Sequence, residues 1–238
     1  MENLVKRGKT KALFRREGGV LLMKFGDDLT ALNGKKHDTL EGKGRINAEI
    51  SYTLFKELEK AGIKTHLLEF VPPDSLLVKE LEMVPLEVVC RRLAAGSFVK
   101  RYPFVEKGKR LDPPVVEFYL KSDELGDPLM SDDAVVALGI LSREELDYVK
   151  ETTRKICKVL EGFFEKRGIK LVDFKVEFGR NKEGNLLVAD ELTPDSMRLW
   201  DAESGESLDK DHYRKGAPLE KVRQVYEELH RRVCHAPV

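Results

Sequence analysis

The sequence predicts an α+β protein of two lobes, a small N-terminal lobe around an antiparallel sheet and a larger α/β C-terminal lobe. Two pairs of short apolar segments, each pair divided by turn residues, occupy the first third of the chain and indicate antiparallel strands. Two long segments of the second half carry apolar residues at helical spacing. The pattern breaks around residues 82–85, so we predict lobes at residues 1–83 and 84–238 with a cleft between them.

The first lobe combines four strands with one helix. The predicted strands are residues 11–16, 20–25, 65–70 and 75–81. Residues 26–44 are rich in Gly, Asp and Lys and lack periodicity, so we expect a long loop there. Apolar residues at helical spacing predict a helix from Arg45 to Ala61 that ends at Gly62.

The second lobe has its strongest signal in a helix. It is predicted for residues 142–167, begins with a Ser142-x-x-Glu145 capping box and ends at Gly168. Residues 218–233 predict a closing amphipathic helix with a proline near its first turn. The predicted strands of this lobe are residues 86–93, 115–120, 171–179 and 186–192.

Composition narrows the functional classes. The 238 residues carry a formal net charge of zero, so neither nucleic acid nor an acidic membrane is expected as a partner. No apolar run of signal or membrane-spanning length is visible, and we expect a cytoplasmic protein. Cysteines occur singly and the five histidines show no ligand spacing, so neither disulfides nor zinc chemistry is expected. Walker, GxGxxG and GxSxG motifs do not occur.

The chemically richest segment is an acidic hairpin, LVDFKVEFG (171–179) followed by LLVADEL (186–192). Strand alternation places three charged residues on one face, Asp173, Lys175 and Glu177. If the turn pairs the last residue of the first strand with the first of the second, Lys175 lies opposite Asp190 and Glu177 lies diagonal to it. Two such carboxylates suit Mg²⁺, whose remaining ligands would be phosphate oxygens and water.

A solvated strand face with an ordinary ion pair is the alternative interpretation of this hairpin, and it is the commoner outcome for such a pattern alone. The following segment favours function. ADELTPDSMRLWD (189–201) brings Asp195, Arg198 and Asp201 next to Trp200, the only tryptophan.

Two other segments place charge in unusual positions. In PLEVVCRRLAAGS (85–97), one of two consecutive arginines must share the strand face of Val89, and we assign Arg91 to it. Arg91 either binds a phosphate or carboxylate or pairs within the chain, for example with Glu87, and spacing leaves both open. Lys9 and Lys11 follow Gly8 and could reach phosphates, a weaker signal.

Four segments together, residues 84–97, 171–179, 190–201 and 209–214, resemble the phosphoribosylaminoimidazole-succinocarboxamide synthase (SAICAR synthetase) family. The resemblance covers nearly the whole chain. It implies a two-lobed ATP-binding fold, similar to kinases and ATP-grasp proteins, with ATP in the cleft. It also implies an Mg²⁺-dependent ligase of purine biosynthesis that joins L-aspartate to carboxyaminoimidazole ribonucleotide (CAIR). ADP and phosphate would be released, through an acyl phosphate.

The resemblance also implies residue roles. Catalysis is expected of Lys175, Glu177 and Asp190, of which Glu177 and Asp190 would hold the metal. ATP is expected to contact Lys9, Lys11, Lys79, Glu80 and Met83. The other substrates are expected to contact Lys43, Arg91, Ser97, Lys121, Asp173, Asp195, Arg198, Lys210 and Arg214. Within this set, Lys43 belongs to a loop around Lys35–Arg45 that would close over aspartate.

Partners and rival functions complete the expectations. We expect small-molecule substrates and a homo-oligomer, a dimer. A kinase-like phosphotransferase is the nearest rival, but no HRD-type loop with its paired asparagine is present. A non-catalytic nucleotide-binding or RNA-binding module would have to use the basic pairs Arg91-Arg92 and Lys35-Lys36. The neutral net charge and the lack of a basic, aromatic face oppose it.

Overall fold

The computed structural model describes residues 3–31 and 36–235 and confirms a mixed α+β architecture. The elements in chain order are β1 (Asn3–Arg7), β2 (Lys11–Arg16), β3 (Val20–Phe25), β4 (Asp28–Ala31), β5 (Lys36–Thr39), α1 (Lys43–Lys60), β6 (Leu67–Val71), β7 (Ser75–Lys79), β8 (Glu82–Met83), β9 (Leu86–Leu93), α2 (Ser97–Arg101), β10 (Arg110–Leu120), β11 (Leu129–Met130), α3 (Asp132–Ala137), α4 (Arg143–Glu165), β12 (Ile169–Arg180), β13 (Leu186–Ala189), β14 (Met197–Asp201), α5 (Asp211–Arg214) and α6 (Leu219–Cys234). Of the helices in this part of the chain, none has the length and apolar character needed to cross a membrane.

The first sheet contains only strands from the N-terminal third of the chain. Its five antiparallel strands follow the order β1-β2-β3-β7-β6. The α1 helix packs on this sheet through the predicted apolar stripe, because Ile46, Ile50, Leu54 and Leu58 are all buried. The helix prediction is confirmed, with a start two residues earlier than expected.

The second sheet is organised around β12. Its main order is β11-β10-β9-β12-β13, and β14 and β8 also pair with β12. The α4 helix packs across β12, and its predicted capping box between Ser142 and Glu145 is present. Because β12 is bordered by strands along both edges and covered by α4, most of its side chains are buried, on both faces.

The predicted loop at residues 26–44 is partly wrong, since β4 and β5 form a short hairpin within it. Its predicted residue Lys35 lies outside the described residues. The segment ends where the Asp27 carboxylate accepts hydrogen bonds from the backbone amides of Gly42 and Gly44, which starts α1 at Lys43. A Cβ at Gly44 would lie 2.6 Å from the Phe25 carbonyl oxygen, so only glycine allows this close approach.

The two sheets share one hydrophobic cluster, which includes Leu76 of β7 and Val176 of β12. Two backbone hydrogen bonds also link the segment just before β6 to β13. The His66 amide donates to the Val188 carbonyl, and the Val188 amide donates to the Lys64 carbonyl. The division into lobes at residue 83 stays a prediction, but the acidic hairpin lies where the two sheets meet.

Candidate active site

The acidic hairpin forms with a register that differs from the predicted one. Gly179 pairs with Leu187 rather than with Leu186, and β13 ends before Asp190, whose backbone is left-handed with φ of 65°. The predicted pairing of Lys175 with Asp190 in a regular ladder is therefore wrong. The β12–β13 ladder ends at Ala189, one residue before Asp190, because the chain enters a left-handed turn there.

The charged side chains of the hairpin nevertheless converge on one lysine. Lys175 Nζ lies 3.3 Å from Glu177 Oε1 and 4.0 Å from Asp190 Oδ2, and it donates to Glu87 Oε1 at 2.7 Å. Because Asp190 leaves the strand through the left-handed turn, its carboxylate reaches Lys175 without following the ladder register. The two residues predicted as metal ligands therefore contact the same ammonium group.

Two further lysines complete this group, which we call the hairpin cluster: Lys11, Glu87, Lys121, Lys175, Glu177, Asp190 and Glu191. Lys11 Nζ, from the first sheet, lies 2.6 Å from Asp190 Oδ1 and 2.7 Å from Glu191 Oε1. Lys121 Nζ lies 2.5 Å from Glu177 Oε2. The Glu177 side chain is only 1% exposed, so the alternative of a solvated strand face is wrong at this position.

Electrostatics keep the hairpin cluster charged. Burial opposes the charged form of Asp190, but the ammonium groups of Lys11 and Lys175 outweigh it and hold the pKa of Asp190 well below its usual range. Burial also lowers the pKa of Lys175, yet Asp190, Glu177 and Glu87 reverse this and raise it above its usual value. Asp190 and Lys175 therefore hold each other in their charged forms.

The cluster fits a hard divalent cation. Its four carboxylates outnumber its three lysines among the described residues, which leaves net negative charge in a buried setting. Mg²⁺ takes one or two protein carboxylates and completes its shell with phosphate oxygens and water. Glu177 and Asp190 supply that donor set.

A cavity of about 250 Å³ opens next to Lys175. Its walls contain seven of the predicted site residues, Arg91, Ser97, Asp173, Lys175, Asp195, Arg198 and Arg214. The four cationic side chains among these seven outnumber the two carboxylates, so the cavity favours an anionic ligand.

Strand register explains the arginines of this cavity. Asp173 of β12 lies opposite Arg91 on β9 and opposite Arg198 on β14. Its Oδ2 atom accepts hydrogen bonds from both guanidinium groups, at 3.1 Å and 2.9 Å. Burial raises the pKa of Asp173 although both arginines oppose the shift. One buried carboxylate therefore fixes two arginines at the cavity wall.

Arg91 lies on the strand face predicted for it, but its suggested pairing with Glu87 is wrong. Arg91 Nε donates to Glu117 Oε2 at 2.7 Å, and its Nη2 donates to Ser97 Oγ and to the Tyr119 hydroxyl, each at 3.0 Å. Glu87 is bound to Lys175 instead, because Lys175 lies opposite Val89, the residue between Glu87 and Arg91 on that face.

The AAGS segment allows Arg198 to pack closely. Gly96 has a φ of 56°, and a Cβ there would lie 2.7 Å from the Arg198 guanidinium carbon. Arg198 also donates to Asp211 Oδ2 at 3.3 Å, and Arg214 donates to Asp211 Oδ1 at 2.6 Å. Gly96 is therefore required by a side chain that approaches it, a constraint not visible in the sequence.

Asp195 is the centre of a second charged group, the Asp195 cluster. Its carboxylate is bound by Lys43 Nζ at 2.7 Å, Asn47 Nδ2 at 3.2 Å and the Tyr226 hydroxyl at 2.5 Å, with Lys210 Nζ at 3.9 Å. Burial opposes its charge, but Lys43 and Lys210 outweigh it and hold the pKa of Asp195 well below its usual range. The Lys43 side chain has no exposed surface, so the structure places it beneath the cavity wall and not in a surface loop.

The remaining predicted residues lie away from both clusters. Lys9 is half exposed and pairs with Asp123. The backbone amides of Lys79 and Glu80 donate to the carbonyls of His66 and Gly19, so contacts from these two amides to a base would need other bonds to break. The Met83 side chain is exposed next to Gly179. The nucleotide-binding roles of Lys9, Lys79, Glu80 and Met83 stay predictions.

Several site residues were not predicted from the sequence. They are Asn47, His66, Glu87, Glu117, Tyr119, Glu191 and Tyr226. His66 is fully buried near Asp190, and burial lowers its pKa to about 4, which keeps it neutral. Glu191 could have been found from its position after Asp190, whereas the others depend on contacts between distant segments.

Comparison with known proteins places this geometry in context. Residues 4–233 match the protein family described as SAICAR synthetase. A relative from Methanocaldococcus jannaschii, named phosphoribosylaminoimidazole-succinocarboxamide synthase, is 49% identical over 224 residues, which cover 93% of this chain and 92% of the relative. The solved synthase of that name from Ehrlichia chaffeensis is 38% identical with a TM-score of 0.93, and the match covers 99% of this chain and 100% of that one. A SAICAR synthetase solved in complex with ADP is 40% identical with a TM-score of 0.92, covering 99% of both chains.

Proposed function

Because this chain belongs to the SAICAR synthetase family, the ATP-dependent ligases of purine biosynthesis, we propose that it joins L-aspartate to the carboxylate of CAIR. ATP is converted to ADP and phosphate, and SAICAR is released. The observation that supports this most directly is the position of the hairpin cluster, with its fixed charges, next to an arginine-lined cavity. Together they provide a phosphate-transfer centre beside a site for an anionic substrate.

The chemistry requires activation of a carboxylate. Transfer of the γ-phosphoryl group from ATP to a CAIR carboxylate oxygen gives an acyl phosphate and ADP. The aspartate amine then attacks the acyl carbon, the C–O bond to phosphate breaks with its electrons, and the amine releases a proton to water. Lys11 and Lys175 remain protonated, so they can offset the charge of the transferred group throughout.

We assign the phosphate-transfer roles to the hairpin cluster. Glu177 and Asp190 would hold Mg²⁺, which when bound supplies positive charge at the phosphate oxygens. Lys11 connects the first sheet to Asp190, so it is the lysine we assign to the ATP phosphates. Lys121 positions Glu177 through its contact to Oε2.

CAIR binding is assigned to the cavity. Arg198 and Arg214 are the arginines we assign to its phosphate or carboxylate, because their side chains are 23% and 33% exposed at the cavity, whereas the Arg91 side chain is only 4% exposed. Arg91 then acts by holding Ser97 and Asp173 in place. Lys43 and Lys210 are proposed to act indirectly through Asp195, since Lys43 is fully buried.

Omission of single substrates tests the reaction. The purified protein should form ADP and SAICAR only when ATP, Mg²⁺, CAIR and L-aspartate are all present, and L-asparagine in place of aspartate serves as the matched control. ADP release that required neither CAIR nor aspartate would contradict the proposal and favour a simple phosphotransferase or hydrolase.

A substitution pair tests the cavity. Arg198→Met should raise the KM for CAIR about tenfold or more, because a charged hydrogen bond is lost. Arg110→Met is the control, since Arg110 is half exposed and pairs with Glu161. An unchanged KM for CAIR in Arg198→Met would contradict the assignment.

Three further parts of the proposal concern the setting of the enzyme. We propose Mg²⁺ as the metal, a homodimer as the working form and the cytoplasm as the compartment. The role of Mg²⁺ is supported if chelation abolishes activity and if Mg²⁺, but not K⁺, restores it. A mass of twice 27.1 kDa in light scattering supports the second, and recovery of the activity in the soluble cell fraction supports the third.

A further inference from the structure

A second group of metal-ligand side chains lies outside the cavity, where α1 packs against α6. We propose that Glu49, His230 and His235 bind a divalent transition-metal ion, with Zn²⁺ as the preferred species. Glu49 belongs to α1, His230 lies in the last turns of α6, and His235 follows that helix directly. The proposal does not depend on the ligase reaction.

The three side chains are nearly in ligand geometry. His230 Nε2 lies 2.5 Å from Glu49 Oε2, and the rings of His230 and His235 are 4.8 Å apart at an angle of 84°. One ligand atom from each residue lies within 4.8 Å of the other two. Ligand atoms about 2.0–2.2 Å from a tetrahedral Zn²⁺ are roughly 3.3–3.5 Å apart. Binding therefore requires His235 to move in by up to about 1.5 Å and the Glu49 and His230 ligand atoms to separate by about 1 Å.

The donor set selects the class of metal. Two imidazole nitrogens and one carboxylate match a common zinc set, in which water takes the fourth position. Imidazole favours Zn²⁺, Ni²⁺ and Cu²⁺, whereas Mg²⁺ and Ca²⁺ favour oxygen ligands. This group should thus bind a different metal from the hairpin cluster, whose candidate ligands Glu177 and Asp190 are carboxylates. The sequence-based exclusion of zinc overlooked that His230 and His235 are separated by four residues, a common zinc-ligand spacing, and the packing of α1 against α6 supplies the third ligand.

An ordinary ion pair between Glu49 and His230 is the competing explanation. Arg45 Nη1 lies 4.0 Å from Glu49 Oε1 and adds a weak positive contact of the same kind. An ion pair has no need of His235, however, so His235 distinguishes the two explanations.

Metal binding here would couple two helices that support the site. The N-terminal turns of α1 carry Lys43 and Asn47, and α6 carries Tyr226, and all three bind Asp195. An ion bridging Glu49 to His230 and His235 would hold these helices together one to two turns away. It should therefore stabilise the folded protein.

Zinc titration of the untagged, chelator-stripped protein tests the site directly. The wild type should bind one Zn²⁺ more than His235→Ala in isothermal calorimetry, or bind that ion at least tenfold more tightly. His235→Ala removes an exposed side chain, so its folding is not at risk. His37→Ala, another exposed histidine, is the matched control and should behave as the wild type. Equal zinc stoichiometry and affinity in the wild type and His235→Ala would overturn the proposal.

Thermal unfolding gives a second readout. At a free Zn²⁺ concentration of about 100 times its Kd, the Tm of the wild type should rise by about 5–10 °C. The rise should be several degrees smaller in His235→Ala and unchanged in His37→Ala. An equal rise in all three proteins would assign the zinc effect to the hairpin cluster or to the surface, and would overturn the proposal.

Discussion

The hairpin cluster and the Asp195 cluster both contain a buried aspartate held between two lysines. In each, lysine charge outweighs burial and keeps the aspartate pKa well below its usual range. The charge balance differs. The carboxylates of the hairpin cluster outnumber its lysines, whereas in the Asp195 cluster one carboxylate contacts two lysines, Lys43 and Lys210.

Access to solvent differs as well. Lys175 and Lys121 are 26% and 38% exposed, whereas Lys43 is completely buried. A surplus of negative charge beside an opening is suited to bind a cation, whereas the buried Lys43 bound to Asp195 is suited to hold α1 against the cavity wall. A shifted aspartate pKa alone therefore does not identify a catalytic residue, because both kinds of cluster produce it.

Substitution of Asp195 should have the largest effect on stability. Asp195→Asn leaves Lys43 buried without a counter-charge, so the free energy of unfolding should fall by about 3–5 kcal/mol in chemical denaturation. Asp112→Asn is the control and should change it by less than about 1 kcal/mol, because Asp112 is 80% exposed beside Arg92. If Asp195→Asn were as stable as Asp112→Asn, the two clusters would not differ in the way described.

Substitution of Asp190 in the hairpin cluster should instead affect turnover. Asp190→Asn should lower kcat by about 10²–10³-fold, since it removes a proposed metal ligand and a fixed charge. Its Tm should stay within a few degrees of the wild type, because Lys11 keeps Glu191 and Lys175 keeps Glu87 and Glu177. A large loss of Tm with retained activity would make the hairpin cluster a structural one.

Substitutions of Lys9 and Lys11 also test whether the hairpin cluster is catalytic or structural, with a smaller expected effect. Lys11→Met should lower kcat/KM for ATP by about 10–100-fold, because Lys11 is the cation that reaches Asp190 from the first sheet. Lys9→Met should lower it less, by about threefold, because Lys9 is half exposed and solvent screens its contact with a phosphate. Equal losses in steady-state assays of both variants would contradict the assignment of Lys11.

Local patterns were enough to predict many elements. The α4 capping box depends on residues three positions apart, and the face of Arg91 follows from strand alternation, so both could be predicted. The left-handed turn at Asp190 could not, because aspartate adopts that conformation only where the surrounding structure requires it. The prediction that Asp190 and Glu177 lie together was correct although the register behind it was wrong.

Contacts between distant segments were beyond sequence patterns. Most strands of the second sheet lie between Lys43 and Asp195 in the sequence. The two residues meet only because α1 and α6 pack together beside Asp195. Glu87, suggested as one possible partner of Arg91, was wrong for the same reason, since Glu117 lies on a neighbouring strand. Strand order decides such pairs, and alternation along a single strand carries no information about it.

A third buried aspartate provides the smallest and most specific test of the comparison. Asp209 accepts hydrogen bonds from the amides of Leu199 and Asp211, and in the described part of the chain it forms no ion pair with a lysine. Burial, with a further contribution from the Asp211 carboxylate, therefore prevails and raises the pKa of Asp209 to about 6. Asp209 thus shows what burial does when lysines do not outweigh it.

The pH dependence of stability follows from that pKa. The folded protein keeps the Asp209 proton up to about pH 6, whereas the unfolded chain loses it near pH 4, so this residue stabilises the fold at low pH and loses that contribution as pH rises through the window. The stability lost in Asp209→Asn should therefore be about 1 kcal/mol larger at pH 5 than at pH 7. Urea denaturation of both proteins at both pH values measures this difference, and groups that titrate alike in the two proteins cancel from it. A loss that is equal or smaller at pH 5 would show that burial does not raise the pKa of Asp209.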